Sequence, residues 1–110
     1  MMEAKKELQR VQGWMQEFGK KSPESMKSFQ GLMEAVDKEK VLSAKTKELM
    51  AVAVSVTQQC KWCIAIHVKK ALSEGATKDE IVEAAWVAVL MGGGPALMYA
   101  GLVLEALEEM

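Results

Sequence analysis

The sequence predicts an all-α fold, built as a single compact domain of about six helices. Three observations predict it. The 110 residues are enough for one domain and too few for two. Apolar residues recur at helical spacing along several segments. Glycine, proline and capping residues separate these segments into lengths typical of helices. We therefore expect residues 1–110 to form one helical domain.

Amphipathic patterns predict the first two helices. The first runs from Glu3 to about Phe18 and ends at Gly19. The second has Ser22 as its N-cap and Pro23 at the first helical position, where the missing proline N–H leaves no bond unmade. The predicted apolar faces contain Leu8, Val11, Trp14, Met15 and Phe18 in the first helix, and Met26, Phe29, Leu32, Met33 and Val36 in the second.

A third helix is predicted from Ala44 to Gln58, with Ser43 as its N-cap. Its segment 49–56 is apolar around nearly the whole circumference, so we expect this helix to be buried on all sides. Valines alternate within that segment and leave a strand as the alternative. The length of the run and its alanines favour a helix.

The fourth helix is predicted to begin near Cys60 and to end at Gly75. Thr77 and Glu80 form a capping-box pattern in which each side chain can accept a backbone N–H of the other residue. This pattern marks the start of a fifth helix, which we expect to reach about residue 91.

The run 84–104 contains no charged residue and, by its 21-residue length alone, could span a bilayer. Its centre, however, is Gly92–Pro95, and no basic residue anchors either end. Hydrocarbon cannot satisfy the backbone groups that four helix-breaking residues leave open. We therefore predict two buried helices of a soluble protein, the sixth beginning at Pro95, joined at a tight corner rather than at a phosphate-binding loop.

Composition narrows the classes of partner. Fourteen basic and fifteen acidic residues nearly cancel, and no basic stripe is interleaved with aromatic residues, so nucleic acid is not an expected partner. The N-terminus lacks the apolar segment of a secretory signal, and two cysteines do not make a disulfide scaffold, so we expect a cytoplasmic protein. Half of the residues are hydrophobic, which in so small a chain predicts burial between subunits of a homo-oligomer.

The sharpest chemical feature is the pair Cys60 and Cys63, followed by His67. Two thiols at this spacing can close a disulfide reversibly, and the thiolate is the reactive form. On a helix, His67 lies about 6 Å along the axis from Cys63 but about 10.5 Å from Cys60. Geometry therefore favours Cys63 as the attacking thiol and Cys60 as the resolving thiol.

Two other interpretations of these residues stay open. Free cysteine is among the most buried residue types, so both cysteines could belong to the core. Cys60, Cys63 and His67 could instead bind a metal, although structural zinc normally takes four ligands in two separated pairs. We expect no metal and no cofactor.

Glu48 is the acid nearest to the cysteines on their N-terminal side, within a strongly apolar run. It lies either at an exposed edge of its helix or in a buried site, where a carboxylate needs a partner. On one straight helix it would be about 18 Å from Cys60. It can approach the thiols only if the chain turns near Gln58 and Gln59, or across a subunit boundary.

This arrangement resembles the core of the carboxymuconolactone decarboxylase-like superfamily, on its alkylhydroperoxidase D-like branch. The similar residues are Glu48, Cys60, Cys63 and His67, supported by the glycine corner 92–100. The resemblance implies an all-α fold and a trimeric or hexameric homo-oligomer. It also implies a hydroperoxide substrate, attack by Cys63, resolution by Cys60 and a proton relay of Glu48 and His67. A dithiol reductant or an adaptor protein would then restore the thiols.

Two departures and two alternatives accompany this resemblance. The best-known peroxidase members have a second histidine between the cysteines, where this chain has Trp62, so the relay lacks one member. The decarboxylase members generally lack the cysteine pair. We expect a thiol-dependent hydroperoxide reductase. The alternatives are a decarboxylase-like enzyme and a non-catalytic redox- or metal-responsive helical module.

Overall fold

The structure, a computed structural model, describes residues 3–110, most of which are helical. Over these residues it contains five helices and no strand, which confirms the predicted all-α class and excludes the strand alternative. The helices are α1 (Ala4–Lys21), α2 (Pro23–Asp37), α3 (Ala44–Thr57), α4 (Lys61–Ser73) and α5 (Lys78–Glu109).

Helix α5 accounts for the difference between five observed and about six predicted helices. It is interrupted at Gly93, whose φ of 70° and ψ of −149° are not helical. Ala85 and Leu104, from opposite sides of this kink, line one cavity, so the two halves lie side by side. By length and composition alone α5 could cross a membrane. The kink divides it at the predicted corner into two shorter segments.

The core lies where α3, α4 and α5 pack against one another. Helix α1 packs against α2 and α4, whereas α2 contributes no buried residue. The apolar faces of the three central helices therefore provide most of the stability of the single chain. The largest fully buried side chains are Val52, Val56, Ile64, Val68, Ile81 and Val103.

The helix boundaries follow the predicted caps with two corrections, at Gly19 and Ser22. The side chain of Ser43 accepts a backbone N–H of the first turn of α3, and Thr77 and Glu80 form the complete capping box of α5. Gly19, predicted to end α1, lies inside that helix, which continues to Lys21. A single glycine costs a helix only about 1 kcal/mol relative to alanine, which neighbouring turns can offset. Ser22 is the N-cap of α2 by position, but its side chain makes no capping hydrogen bond.

Burial of the apolar helices is one-sided, which corrects two expectations. In α3, Val52 and Val56 are fully buried, but Met50 and Val54 are 52% and 56% exposed. In α5, Leu90 before the kink and Met98 after it are also largely exposed. The predictions that α3 is buried on all sides and that both halves of α5 are buried are therefore wrong for the single chain. A single chain of this size has too few helices to cover both faces of α3 and α5.

Candidate active site

The connection between α3 and α4 forms the site. Gln59 has a φ of 55°, in the left-handed region, and the amide of Cys60 donates to the carbonyl of Ser55. The chain thereby reverses, and α4 packs back against α3. A turn of this kind is what we predicted Glu48 would need in order to approach the cysteines.

Cys60 is the N-cap of α4, and Cys63 lies in its first turn. The two cysteines form a disulfide, with Cα atoms 5.2 Å apart. The sulfur of Cys60 also accepts the backbone N–H of Cys63 at 3.2 Å. The unpaired amides of a helix N-terminus stabilise negative charge, so Cys60 occupies a position that favours a thiolate when the disulfide opens.

Glu48 and His67 meet across the interface of α3 and α4. The Nδ1 atom of His67 lies 2.8 Å from Oε2 of Glu48. The Glu48 side chain is 6% exposed and that of His67 is 26% exposed. When Nδ1–H donates to the carboxylate, Nε2 of the ring remains free to exchange a proton. The carboxylate also stabilises the imidazolium that forms when His67 gains a proton.

The four residues that the sequence predicted therefore lie on two adjacent helices. Cys60, Cys63 and His67 belong to α4 and its cap, and Glu48 is contributed by α3. Glu48 is buried and paired, which answers the choice between an exposed edge and a buried site. Within residues 3–110, no group of three or more histidine, cysteine or acidic side chains could hold a metal ion. Both sulfurs are instead joined in the disulfide.

Trp62, between the two cysteines, connects the site to α1. Its ring meets the ring of Trp14 edge-on, with centroids 5.7 Å apart. Its indole nitrogen is buried and has no hydrogen-bond partner in the described part of the chain. At the position where the resemblance predicts a relay histidine, this chain thus has an aromatic side chain in contact with α1.

Sequence reasoning missed the contacts that α1 and α5 make at the start of α4. A cavity of about 490 Å³ opens there, between the start of α4 and the second half of α5. Glu7 of α1 also reaches this region and is almost fully buried. No linear pattern indicates these contacts, because α1 and α5 are distant in sequence from the cysteines. The cavity is lined by Gln59, Lys61, Trp62, Met98, Tyr99 and Leu102.

The site is thus a helical one, in which α4 begins with a disulfide and continues into a histidine–carboxylate pair. Residues 23–106 match the model of the carboxymuconolactone decarboxylase family. The chain belongs to this family, which confirms the resemblance seen in its sequence.

Two bacterial relatives are described only as uncharacterized proteins. An uncharacterized protein encoded in the cox locus of Paracoccus denitrificans is 45% identical over 83 residues, covering 76% of this chain and 75% of that protein. An uncharacterized protein of Cupriavidus necator is 37% identical over 92 residues, covering 84% of this chain and 81% of its own length.

Solved structures agree with the fold over nearly the whole chain. A carboxymuconolactone decarboxylase family protein from Legionella pneumophila superimposes with a TM-score of 0.94 at 39% identity, covering 99% of this chain and 97% of that one. A Thermotoga maritima member, described with a possible involvement in the antioxidative response, gives a TM-score of 0.83 at 30% identity, covering 93% and 87%.

Proposed function

We propose that this protein is a thiol-dependent hydroperoxide reductase that uses Cys63 and Cys60 with a proton relay of His67 and Glu48. The observation that carries the proposal is the disulfide at the start of α4, one helical turn before a histidine already bonded to a buried carboxylate. The description of the Thermotoga relative gives it further support.

The first step is the oxidation of Cys63. His67 takes the proton of the Cys63 thiol through Nε2, and Glu48 stabilises the resulting imidazolium. The thiolate attacks the outer oxygen of the hydroperoxide, forming an S–O bond while the O–O bond breaks. His67 returns the proton to the departing alkoxide or hydroxide. The products are a sulfenic acid on Cys63 and an alcohol or water.

The second step closes the disulfide. The Cys60 thiolate attacks the sulfur of the sulfenic acid, the S–O bond breaks, and hydroxide leaves with a proton as water. A dithiol reductant then opens the disulfide by exchange and is itself oxidised to a disulfide. The backbone N–H of Cys63 donates to the sulfur of Cys60 and can stabilise a Cys60 thiolate. This supports both the closure of the disulfide, in which the Cys60 thiolate attacks, and its reduction, in which that thiolate leaves.

The partners of this cycle follow from its chemistry. Besides the hydroperoxide, it requires a dithiol reductant or an adaptor protein that carries one. We further propose a homo-oligomer, a trimer or hexamer, in the cytoplasm, where thiols are kept reduced.

The test is single-turnover oxidation of the reduced protein by one equivalent of hydroperoxide, followed by mass spectrometry. The wild-type protein should lose two mass units as the disulfide forms. Cys60→Ser should still react but stop at a sulfenic acid on Cys63, which a sulfenic-acid probe captures. Cys63→Ser should not react at the wild-type rate.

Each contrary result has a defined meaning. If Cys60→Ser stops oxidation while Cys63→Ser does not, the two roles are reversed. If peroxide leaves the reduced wild-type thiols unchanged, the peroxidase proposal is wrong. A lactone decarboxylase activity that survives replacement of both cysteines would then favour the decarboxylase-like alternative.

A further inference from the structure

The proposed cycle leaves one buried charged group without a role. Glu7 of α1 has a side chain that is only 10% exposed, although it lies near the beginning of the first helix. Its carboxylate is 3.4 Å from Arg10 on the same helix and 3.9 Å from Lys61 on α4. A carboxylate is rarely buried to this extent without a partner.

Lys61 joins this carboxylate to the disulfide. It is the first residue of α4 and directly follows Cys60. Its ammonium lies 3.9 Å from Glu7 and 5.1 Å from the ring centroid of Trp62, the next residue. The contact between α1 and α4 therefore holds a cation at the first residue of α4, the neighbour in sequence of the cysteine that caps this helix.

We propose that Glu7 is a positioning residue that holds the Lys61 ammonium against α1 and thereby sets the equilibrium between the Cys60–Cys63 disulfide and the dithiol. This inference rests on the proposed function in one respect only, namely that the two cysteines interconvert between disulfide and dithiol. Through the contact of Glu7 with Lys61, α1 would influence how readily the disulfide on α4 is reduced.

The sign of the effect follows from the charges. A positive charge near the start of α4 adds to the helix N-terminus in stabilising a thiolate on Cys60. Glu7 opposes this effect, because it neutralises Lys61 and keeps its ammonium beside α1. Stabilising the thiolate favours the dithiol form and makes the disulfide a stronger oxidant.

The experiment measures the disulfide–dithiol equilibrium in mixtures of reduced and oxidised dithiothreitol, at a pH at which Cys60 is ionised. Glu7→Gln keeps the size of the side chain and should shift the equilibrium toward the dithiol by about two- to fivefold. That shift corresponds to about 10–20 mV. Lys61→Gln should shift it by a similar factor toward the disulfide. In a separate pH titration of the reduced protein, ultraviolet absorbance should show the thiolate forming at lower pH in the first variant and at higher pH in the second.

The double variant Glu7→Gln/Lys61→Gln tests whether Glu7 acts through Lys61. If it does, Glu7→Gln has little further effect in the Lys61→Gln background. An undiminished effect in that background contradicts the role of Lys61. The matched control is Glu17→Gln, an exposed position on the same helix, which should leave the equilibrium unchanged.

Two failures are distinguishable. If Glu7→Gln lowers the melting temperature but leaves the equilibrium and the thiolate fraction unchanged, Glu7 has only a structural role and the inference is wrong. If the wild-type cysteines themselves do not interconvert with dithiothreitol, the proposed function fails as well. If the wild-type cysteines do interconvert and the Glu7→Gln variant has the same disulfide–dithiol equilibrium as the wild type, only the inference about Glu7 is wrong.

Discussion

At the residue scale, the first prediction concerns the pair formed by Glu48 and His67 and its effect on the rate of Cys63 oxidation. General acid–base catalysis typically contributes about 10²–10⁴-fold to a rate. Glu48→Gln and His67→Ala should therefore each slow the peroxide-driven oxidation of Cys63 by about that factor. The measurement is the single-turnover rate of sulfenic acid formation in a Cys60→Ser background, where the second step is absent.

The control for this prediction is Glu83→Gln, which removes a carboxylate at an exposed position of α5. It should react at the wild-type rate, and circular dichroism should show that all variants stay helical. Wild-type rates in both Glu48→Gln and His67→Ala would mean that the thiols react without a relay.

At the scale of the element, the corner of α5 depends on one glycine. The φ of 70° and ψ of −149° at Gly93 lie in a region that side-chain-bearing residues occupy only with strain. Gly93→Ala should therefore lower the free energy of unfolding by about 1–3 kcal/mol, measured by denaturant titration.

The adjacent Gly94 provides the matched control. It lies in helical backbone, and a Cβ added there would meet no atom within 4 Å. Gly94→Ala should cost less stability than Gly93→Ala, because the backbone of Gly94 has no positive φ. Equal losses at both positions would show that the corner does not require the conformation of Gly93.

At the start of α5, Glu80 makes the stability of the fold depend on pH. The pKa of Glu80 lies below its ordinary value of 4.5, chiefly because its carboxylate accepts the backbone N–H of Thr77 and also because it pairs with Lys45. A lowered pKa means that the ionised group stabilises the fold. This contribution is complete above about pH 4.5 and disappears as the pH falls through the lowered pKa.

Glu80→Gln removes the ionisation but keeps an oxygen for the N–H of Thr77. The stability difference between the wild type and this variant should therefore be constant near neutral pH and shrink on acidification below about pH 4.5. Thermal unfolding at a series of pH values measures it. A difference that grows as the pH falls would contradict the sign of the shift.

At the scale of the whole molecule, the single chain has a larger accessible surface than is typical of a folded monomeric protein of the same mass. Its accessible surface is 7210 Å², whereas a folded monomer of 12.1 kDa exposes about 6,000 Å². The excess is accompanied by an apolar surface on α5 that includes Trp86, Leu90 and Met91. Exposed apolar surface of this kind marks a site of association.

We expect an obligate homo-oligomer, a trimer or hexamer, at micromolar concentration. Leu90→Glu should shift the sedimentation coefficient toward the monomer, because a charge in an apolar interface loses its water without gaining a partner. Ser73→Glu, at an exposed position on α4, is the control and should leave the assembly intact. A stable, folded wild-type monomer would contradict the prediction.

The sequence by itself determined the features that depend on neighbours along the chain. The helix caps at Ser43 and Thr77 and the corner at Gly92–Pro95 are local, because capping bonds and backbone conformation involve residues within a few positions of each other. The spacing of Cys63 and His67 is also local, since both lie on one helix. Gly19 shows the limit of such rules, because a weak local preference gave way to the neighbouring turns of α1.

Only the tertiary structure decided how distant segments meet. It brought Glu48 to His67 across 19 positions of sequence, and Glu7 to Lys61 across a greater separation. It also showed that α3 is covered on one side only. Such contacts depend on the angles and distances at which helices pack. Many residues determine that geometry together, so it cannot be predicted from the spacing of any two residues in the sequence. The periodicity of a helix predicts that an apolar face is buried, but it does not say which helix, or which subunit, covers it.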